Sequence, residues 1–152
     1  MKGDDLPDHD HVVRYVKPSM VEEDGAANGA DFRLRPHRPD DSGLSVSWLE
    51  VFGSDHVHQL AEVRRLSRLQ LRANGLFAEM NVGKVRSEVV QELETLRIVH
   101  DPLEATAGHE ADPSHAEFTG LPPGDSDQAL LIGDLIAECV SATHPAIVKH
   151  DR

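Results

Sequence analysis

Apolar and polar positions along the chain change period several times, and the changes outline the elements. Between His11 and Val16, Val12, Val13, Tyr15 and Val16 are β-branched or aromatic and Pro18 closes the run, which predicts a strand. Residues 19–24 fit one helical turn, and the small residues from Gly25 to Gly29 fit a loop. Phe32-Arg33-Leu34-Arg35 alternates apolar with charged as a half-buried strand does, with Pro36 and Pro39 ending it. Leu44, Val46 and Trp48 alternate with Ser45 and Ser47 in a further strand that turns helical near Glu50.

The clearest helix is expected from Asp55 to Leu71. Val57, Leu60, Ala61, Val63, Leu66 and Leu69 recur at steps of three and four, Ser54 or Asp55 can cap the start, and Asn74-Gly75 supplies the stop. Phe77–Val82 reads as a strand with Ala78, Met80 and Val82 on one side and Phe77, Glu79 and Asn81 on the other. A weaker helix follows over Lys84–Leu93, then strands at Leu96–Val99 and Ala116–Thr119 around a long surface loop. Asp125 and Gln128 have capping-box spacing for a last helix, Ser126–Val140, apolar on most sides and expected to be buried centrally.

These elements predict an α+β fold: one small domain, with a short, mostly antiparallel sheet of about five strands packed by two main helices. Residues 1–10, rich in Asp and poor in apolar side chains, read as a disordered acidic lead-in, residues 11–148 as the domain and 149–152 as a tail. The length of 152 residues suits one domain. The apolar runs are far shorter than the roughly 20 residues of a membrane span. No basic stretch leads into an apolar one at the start, and Cys139 is the one cysteine, so a cytoplasmic location is expected.

The net charge of −12 is unevenly spread. Residues 60–100 carry seven bases and five acids, whereas residues 101–152 carry two bases and ten acids. This acidity, with only six aromatic residues, argues against nucleic acid as a partner. A protein partner or self-association between basic middle and acidic ends fits better. On the predicted helix, steps of four place Arg64, Arg68 and Arg72 on one face with Arg65 beside them, a set of guanidinium groups able to dock an acidic surface.

Two other sets carry possible chemistry. His100, Asp101, His109, Asp112 and His115, followed by Glu117, are imidazoles and carboxylates that a flexible loop can fold around a divalent metal, although no His-Glu-x-x-His or Cys-x-x-Cys spacing is present. Arg14, Ser45, Ser47 and Glu117 fall on successive strands in an order that resembles the Arg–Ser-x-Ser–Glu arrangement of mono-ADP-ribosyltransferases. That resemblance implies NAD as cofactor, with Arg14 on its phosphate, Ser45 supporting the site and Glu117 orienting the ribose. The chain departs from that pattern where Trp48 follows Ser47 and where no Gln-x-Glu or Glu-x-Glu precedes Glu117. Gly-rich phosphate loops are absent; Gly120-Leu121-Pro122-Pro123-Gly124 is stiffened by proline and lacks the Lys-Ser/Thr ending. Trp48 and Cys139 read as packing residues.

The expectation is therefore a non-enzymatic interaction protein, an accessory or adaptor subunit of a larger bacterial assembly, docking through the arginine face and needing no cofactor. The alternative is a small enzyme using the His100–Glu117 loop, either a metal-assisted hydrolase or an NAD-dependent transferase. A concave pocket beside Glu117 favours the enzyme, and a flat arginine face favours the adaptor.

Overall fold

A computed structural model describes residues 2–34 and 43–148. The expected strand end at Arg35, Pro36 and Pro39 and the tail at 149–152 lie outside these residues. The strands are β1 (His11–Val16), β2 (Gly43–Trp48), β3 (Leu76–Asn81), β4 (Arg97–His100), β5 (His115–Thr119) and β6 (Val140–Pro145), and the α-helices are α1 (His56–Leu66), α2 (Val82–Val89) and α3 (Asp127–Glu138). The six strands form one sheet in the order β4-β5-β2-β1-β3-β6, antiparallel at every pairing. The fold is α+β as expected, with six strands where about five were expected, and with the weaker helix expected over Lys84–Leu93 present as α2 beside the two main ones.

The pleat decides what each strand presents to each side. Val12 and Val16 of β1, Leu44 and Val46 of β2, Ala78 and Met80 of β3, Ile98 of β4, and Ala116 and Phe118 of β5 share one face with Val82, Val85 and Val89 of α2 and Ile132 and Ile136 of α3, all buried in a single apolar cluster. The opposite face carries a smaller cluster in which Val13 and Phe77 pack beneath Leu60 and Val63 of α1. Two helices therefore close one face, whereas α1 alone, with the loop before β5, covers part of the other.

Each helix starts on a side-chain cap. Asp55 accepts from Val57 N and His58 N, Asn81 from Lys84 N, and Ser126 from Ala129 N, satisfying donors that the first turn leaves open. Ser126 rather than Asp125 caps α3. That helix ends at Glu138 and is not buried all round: Leu130 and Leu131 are 46% and 47% exposed, while Ala129, Ile132, Gly133 and Ile136 are buried. Gly133 matters here because a Cβ would stand 2.6 Å from the Gly29 carbonyl oxygen, so only glycine lets α3 approach this closely.

Three other expectations are corrected. Phe32 closes a 3-10 turn at Gly29–Phe32 instead of opening a strand, because Asn28 caps that turn through Ala30 N and Phe32 drops into the core. The acidic lead-in is not free: Gly3 N and Leu6 N donate to His100 O and Ile98 O along β4, Leu6 is 2% exposed, and Arg86 and Arg97 meet Asp8 and Asp5. Finally, α1 stops at Leu66, five residues short of Leu71, with Ser67 extended at ψ 131°. Leu69 is 57% exposed there, and the chain beyond α1 is held by polar groups, Arg72 N donating to the Tyr15 hydroxyl.

Candidate functional site

The early stop of α1 disperses the arginine stripe. Arg64 lies on the helix, but Arg68 and Arg72 lie beyond it, so the three do not share a helix face. Arg64 donates through Nε and Nη2 to the Pro145 carbonyl, Arg65 pairs with Glu62 and Glu110, and Arg68 Nη2 donates to the carbonyls of Glu104 and Glu110 at 2.8 and 3.0 Å. Arg65 and Arg68 thus clip the segment between β4 and β5 against the end of α1. The acidic and basic parts of the chain attract each other, and they do so within one molecule.

The imidazole and carboxylate set divides as well. His100 belongs to the closed side, where its ring meets Trp48 edge-on at 5.1 Å and its Nε2 bonds the Pro113 carbonyl. His109 is exposed in a tight turn facing Thr106. Asp112 is buried and is taken up by Ser114, accepting from its N and Oγ at 3.0 and 2.6 Å. Asp101, His115 and Glu117 do come together on the open face, each offering a ligand atom within 4.8 Å of the others.

The third set is half assembled. Strands β1, β2 and β5 are neighbours, and Ser45 and Glu117 are direct cross-strand partners. By the pleat, however, Arg14 falls on the side of Val12 and Val16, away from Ser45 and Glu117. β1 and β2 pair over Val12–Trp48 and Val13–Ser47 and then part, and Arg14 reaches into the opening to donate to Asp31 O at 2.6 Å and Ser45 O at 2.7 Å.

One contact joins two of the sets. His115 Nε2 lies 3.1 Å from Ser45 Oγ, and His115 Nδ1 lies 2.8 Å from the Asp101 carbonyl oxygen and 3.3 Å from the Asp101 carboxylate. A carbonyl oxygen can only accept, so Nδ1 carries the ring proton. In the neutral ring Nε2 then presents its lone pair, and the Ser45 hydroxyl donates to it. Hydroxyl, imidazole and acid stand in the order of a nucleophile, its base and the group that orients the base. Ser45 is exposed, so the hydroxyl is reachable.

Ser45, Ser47 and His115 form the polar wall of a cavity of about 200 Å³, with Val63, Phe77 and Leu103 among its apolar walls. Arg68 also lines it, and Arg68 Nε is buried without a hydrogen-bond acceptor among the described residues. A buried donor left open on a cavity wall is a group that a bound oxygen would satisfy. Sequence reasoning singled out Ser45 and His115 separately. It missed their partnership, because nothing in linear spacing shows that residues 70 apart become diagonal neighbours on adjacent strands.

Cys139 takes no part in this site. It is buried on the closed side, its thiol donates to Leu135 O at 3.3 Å, and burial pushes the thiol pKa up, away from the reactive thiolate. Compared with protein-family models, curated proteins and solved structures, the chain matches none. No helix among the described residues is long and apolar enough to cross a membrane.

Proposed function

We propose that the protein is a small hydrolase of carboxylic esters with short apolar acyl groups, acting in the cytoplasm, with Ser45 as nucleophile and His115 as its base. The observation that supports this reading is the Ser45 Oγ–His115 Nε2 contact, with the His115 tautomer held by the Asp101 carbonyl. In the reaction Ser45 Oγ attacks the ester carbonyl carbon as its proton passes to His115 Nε2. The developing oxyanion is met by Arg68 Nε–H, and collapse breaks the bond to the alcohol oxygen, which takes the proton from His115. Water then attacks the acyl-serine, gives its proton to His115, and releases the acid as the proton returns to Ser45. The cavity volume accommodates only a few carbon atoms beyond the carbonyl.

The test is a fluorophosphonate probe with a panel of short-chain nitrophenyl esters. Wild-type protein is expected to be labelled at Ser45 and to hydrolyse the shortest esters, with Ser45→Ala and His115→Ala each lowering kcat/KM by about a hundredfold or more. Absence of both labelling and turnover in the folded wild-type protein defeats the reading. The Asp101–His115–Glu117 grouping favours a second form of the same reading, in which a divalent metal activates water. That form predicts turnover that survives Ser45→Ala and is abolished by chelation. The docking role, by contrast, is supported by the outer stripe of α1, where Val57, 77% exposed, shares a side with Ala61 and Arg65. Retention of a protein partner by wild type but not by Val57→Asp or Arg65→Glu, with no esterase activity, would select it.

A further inference from the structure

A second group of chemically active side chains sits elsewhere on the open face and takes no part in the Ser45 site. His56 is the first residue of α1, Glu79 lies in the middle of β3, and His144 is on the edge strand β6. His56 Nε2 stands 2.7 Å and His144 Nε2 2.8 Å from the same Glu79 Oε1, and the two imidazole rings meet at 69° with centroids 4.9 Å apart. All three ligand atoms lie within 4.8 Å of one another.

This convergence is more specific than a surface ion pair. The three donors come from three elements and from residues up to 88 positions apart, and both imidazoles turn the same nitrogen toward one oxygen. Two imidazoles already donate to one carboxylate oxygen here, and the Nε2 protons occupy the space between the three atoms. A metal ion at that position would replace those protons and bind two nitrogens and one oxygen. Donors around tetrahedral zinc are about 3.3 Å apart, given metal–ligand bonds of about 2.0–2.1 Å, so the side chains need open only slightly. The Glu79 and His144 side chains are 13% and 17% exposed, whereas His56 is 48% exposed, which leaves the fourth coordination position toward solvent. Two histidines and one carboxylate with one open position is a donor set of zinc and of other first-row divalent ions, not of magnesium or calcium.

We propose that His56, Glu79 and His144 bind one divalent transition-metal ion of the zinc class, which ties the start of α1 to β3 and β6 and keeps a solvent-facing coordination site. The proposal does not depend on the Ser45 reading, because the two groups share no residue and β1 lies between β2, which carries Ser45, and β3, which carries Glu79.

The test uses the full chain after chelator treatment and dialysis. Co²⁺ is titrated while the visible ligand-field spectrum is followed, and Zn²⁺ while melting and heat are followed. One saturable equivalent is expected, with a low-symmetry cobalt spectrum that Zn²⁺ displaces and a Tm rise of roughly 5 °C at a hundredfold excess over Kd. His144→Ala and Glu79→Gln should weaken binding by about tenfold or more, and His115→Ala should leave it unchanged. His56→Ala replaces a half-exposed side chain and guards against misfolding at the two more enclosed positions; it too should lose the cobalt spectrum while retaining the wild-type circular dichroism. No saturable uptake by the wild type, or uptake that persists in both His56→Ala and His144→Ala, overturns the proposal.

Discussion

The two faces of the sheet are built from the same strands and do opposite work. On the face covered by α2 and α3, Val12, Val46, Met80, Ile98 and Phe118 are sealed from water, and Leu6 closes the β4 side. On the face covered by α1 alone, the cross-strand positions hold Ser45, Ser47, His115 and Glu117 at one end and Glu79 with His144 at the other. Strand β2 shows the contrast within six residues, since Leu44 and Val46 enter the core while Ser45 and Ser47 line the cavity. A single helix leaves room for polar groups, and those groups become sites because strand pairing brings residues distant in sequence to adjacent positions.

The sharpest way to break this comparison uses two neighbouring residues on β4. Ile98 is fully buried on the sealed face, whereas Val99 points to the open face and is half-buried. Ile98→Ala removes buried methyl groups and leaves a cavity, and is expected to lower unfolding free energy by about 2–5 kcal/mol in urea melts. Val99→Ala is expected to cost about 1 kcal/mol, because water already reaches part of the side chain. Equal costs would mean that the two faces are sealed alike.

The sealed face was the more legible in the sequence. β1 matches the expected His11–Val16, and β3 and β5 fall within a residue of their expected positions, because each carries bulky apolar residues at a strand period. The open face and the edges were not legible in the same way. β6 went unseen because Val140-Ser141-Ala142-Thr143-His144-Pro145 has small or polar residues at its alternate positions, as an edge strand paired only to β3 can. The lead-in hid its single anchor, Leu6, among aspartates whose charge is met by arginines 78 and 92 residues away. At the sites, residue types were readable and partners were not: Ser45 was singled out in one set and Asp101 with His115 in another, and nothing in the sequence joined the two. His56 and His144 carried no linear signal at all, while Glu79 was visible as a carboxylate on the same strand side as Phe77.

The open face is also expected to be the less firmly held. Its cover between β4 and β5 hangs on Arg68, whose Nη2 bridges the Glu104 and Glu110 carbonyls, and on Arg65, which pairs with Glu110. Arg68→Met keeps the aliphatic stem and removes both bonds. Hydrogen exchange should quicken across residues 103–112 while amides of β1 and β3 stay protected, and global stability should fall by about 1–2 kcal/mol. Uniform quickening through the sheet would show that this loop is part of the global folding unit rather than a separately opening cover.

The smallest effect concerns Asp31, a sealed-side carboxylate that is not fully matched. Asp31 is 9% exposed, its Oδ2 has no hydrogen-bond partner among the described residues, and burial raises its pKa from 3.8 to about 6 against the opposing pull of Arg14 and Lys17. The folded protein therefore holds the Asp31 proton more tightly than the unfolded chain does. Its contribution is greatest below pH 3.8, falls as pH rises from about 3.8 to about 6, and is flat above that. Arg14 and the nearby opening between β1 and β2 give partial access to water, so the net penalty at pH 7 is about 1 kcal/mol rather than the full value of the shift. Asp31→Asn abolishes the titration, retains an oxygen acceptor and adds a donor. Measured in urea at pH 4.5 and pH 7, the variant should gain on the wild type by roughly two thirds of that 1 kcal/mol, the part that accumulates above pH 4.5. A wild type that loses nothing to the variant over this interval would mean that the Arg14 guanidinium neutralises Asp31 fully, and that the sealed face tolerates a charge as readily as the open face does.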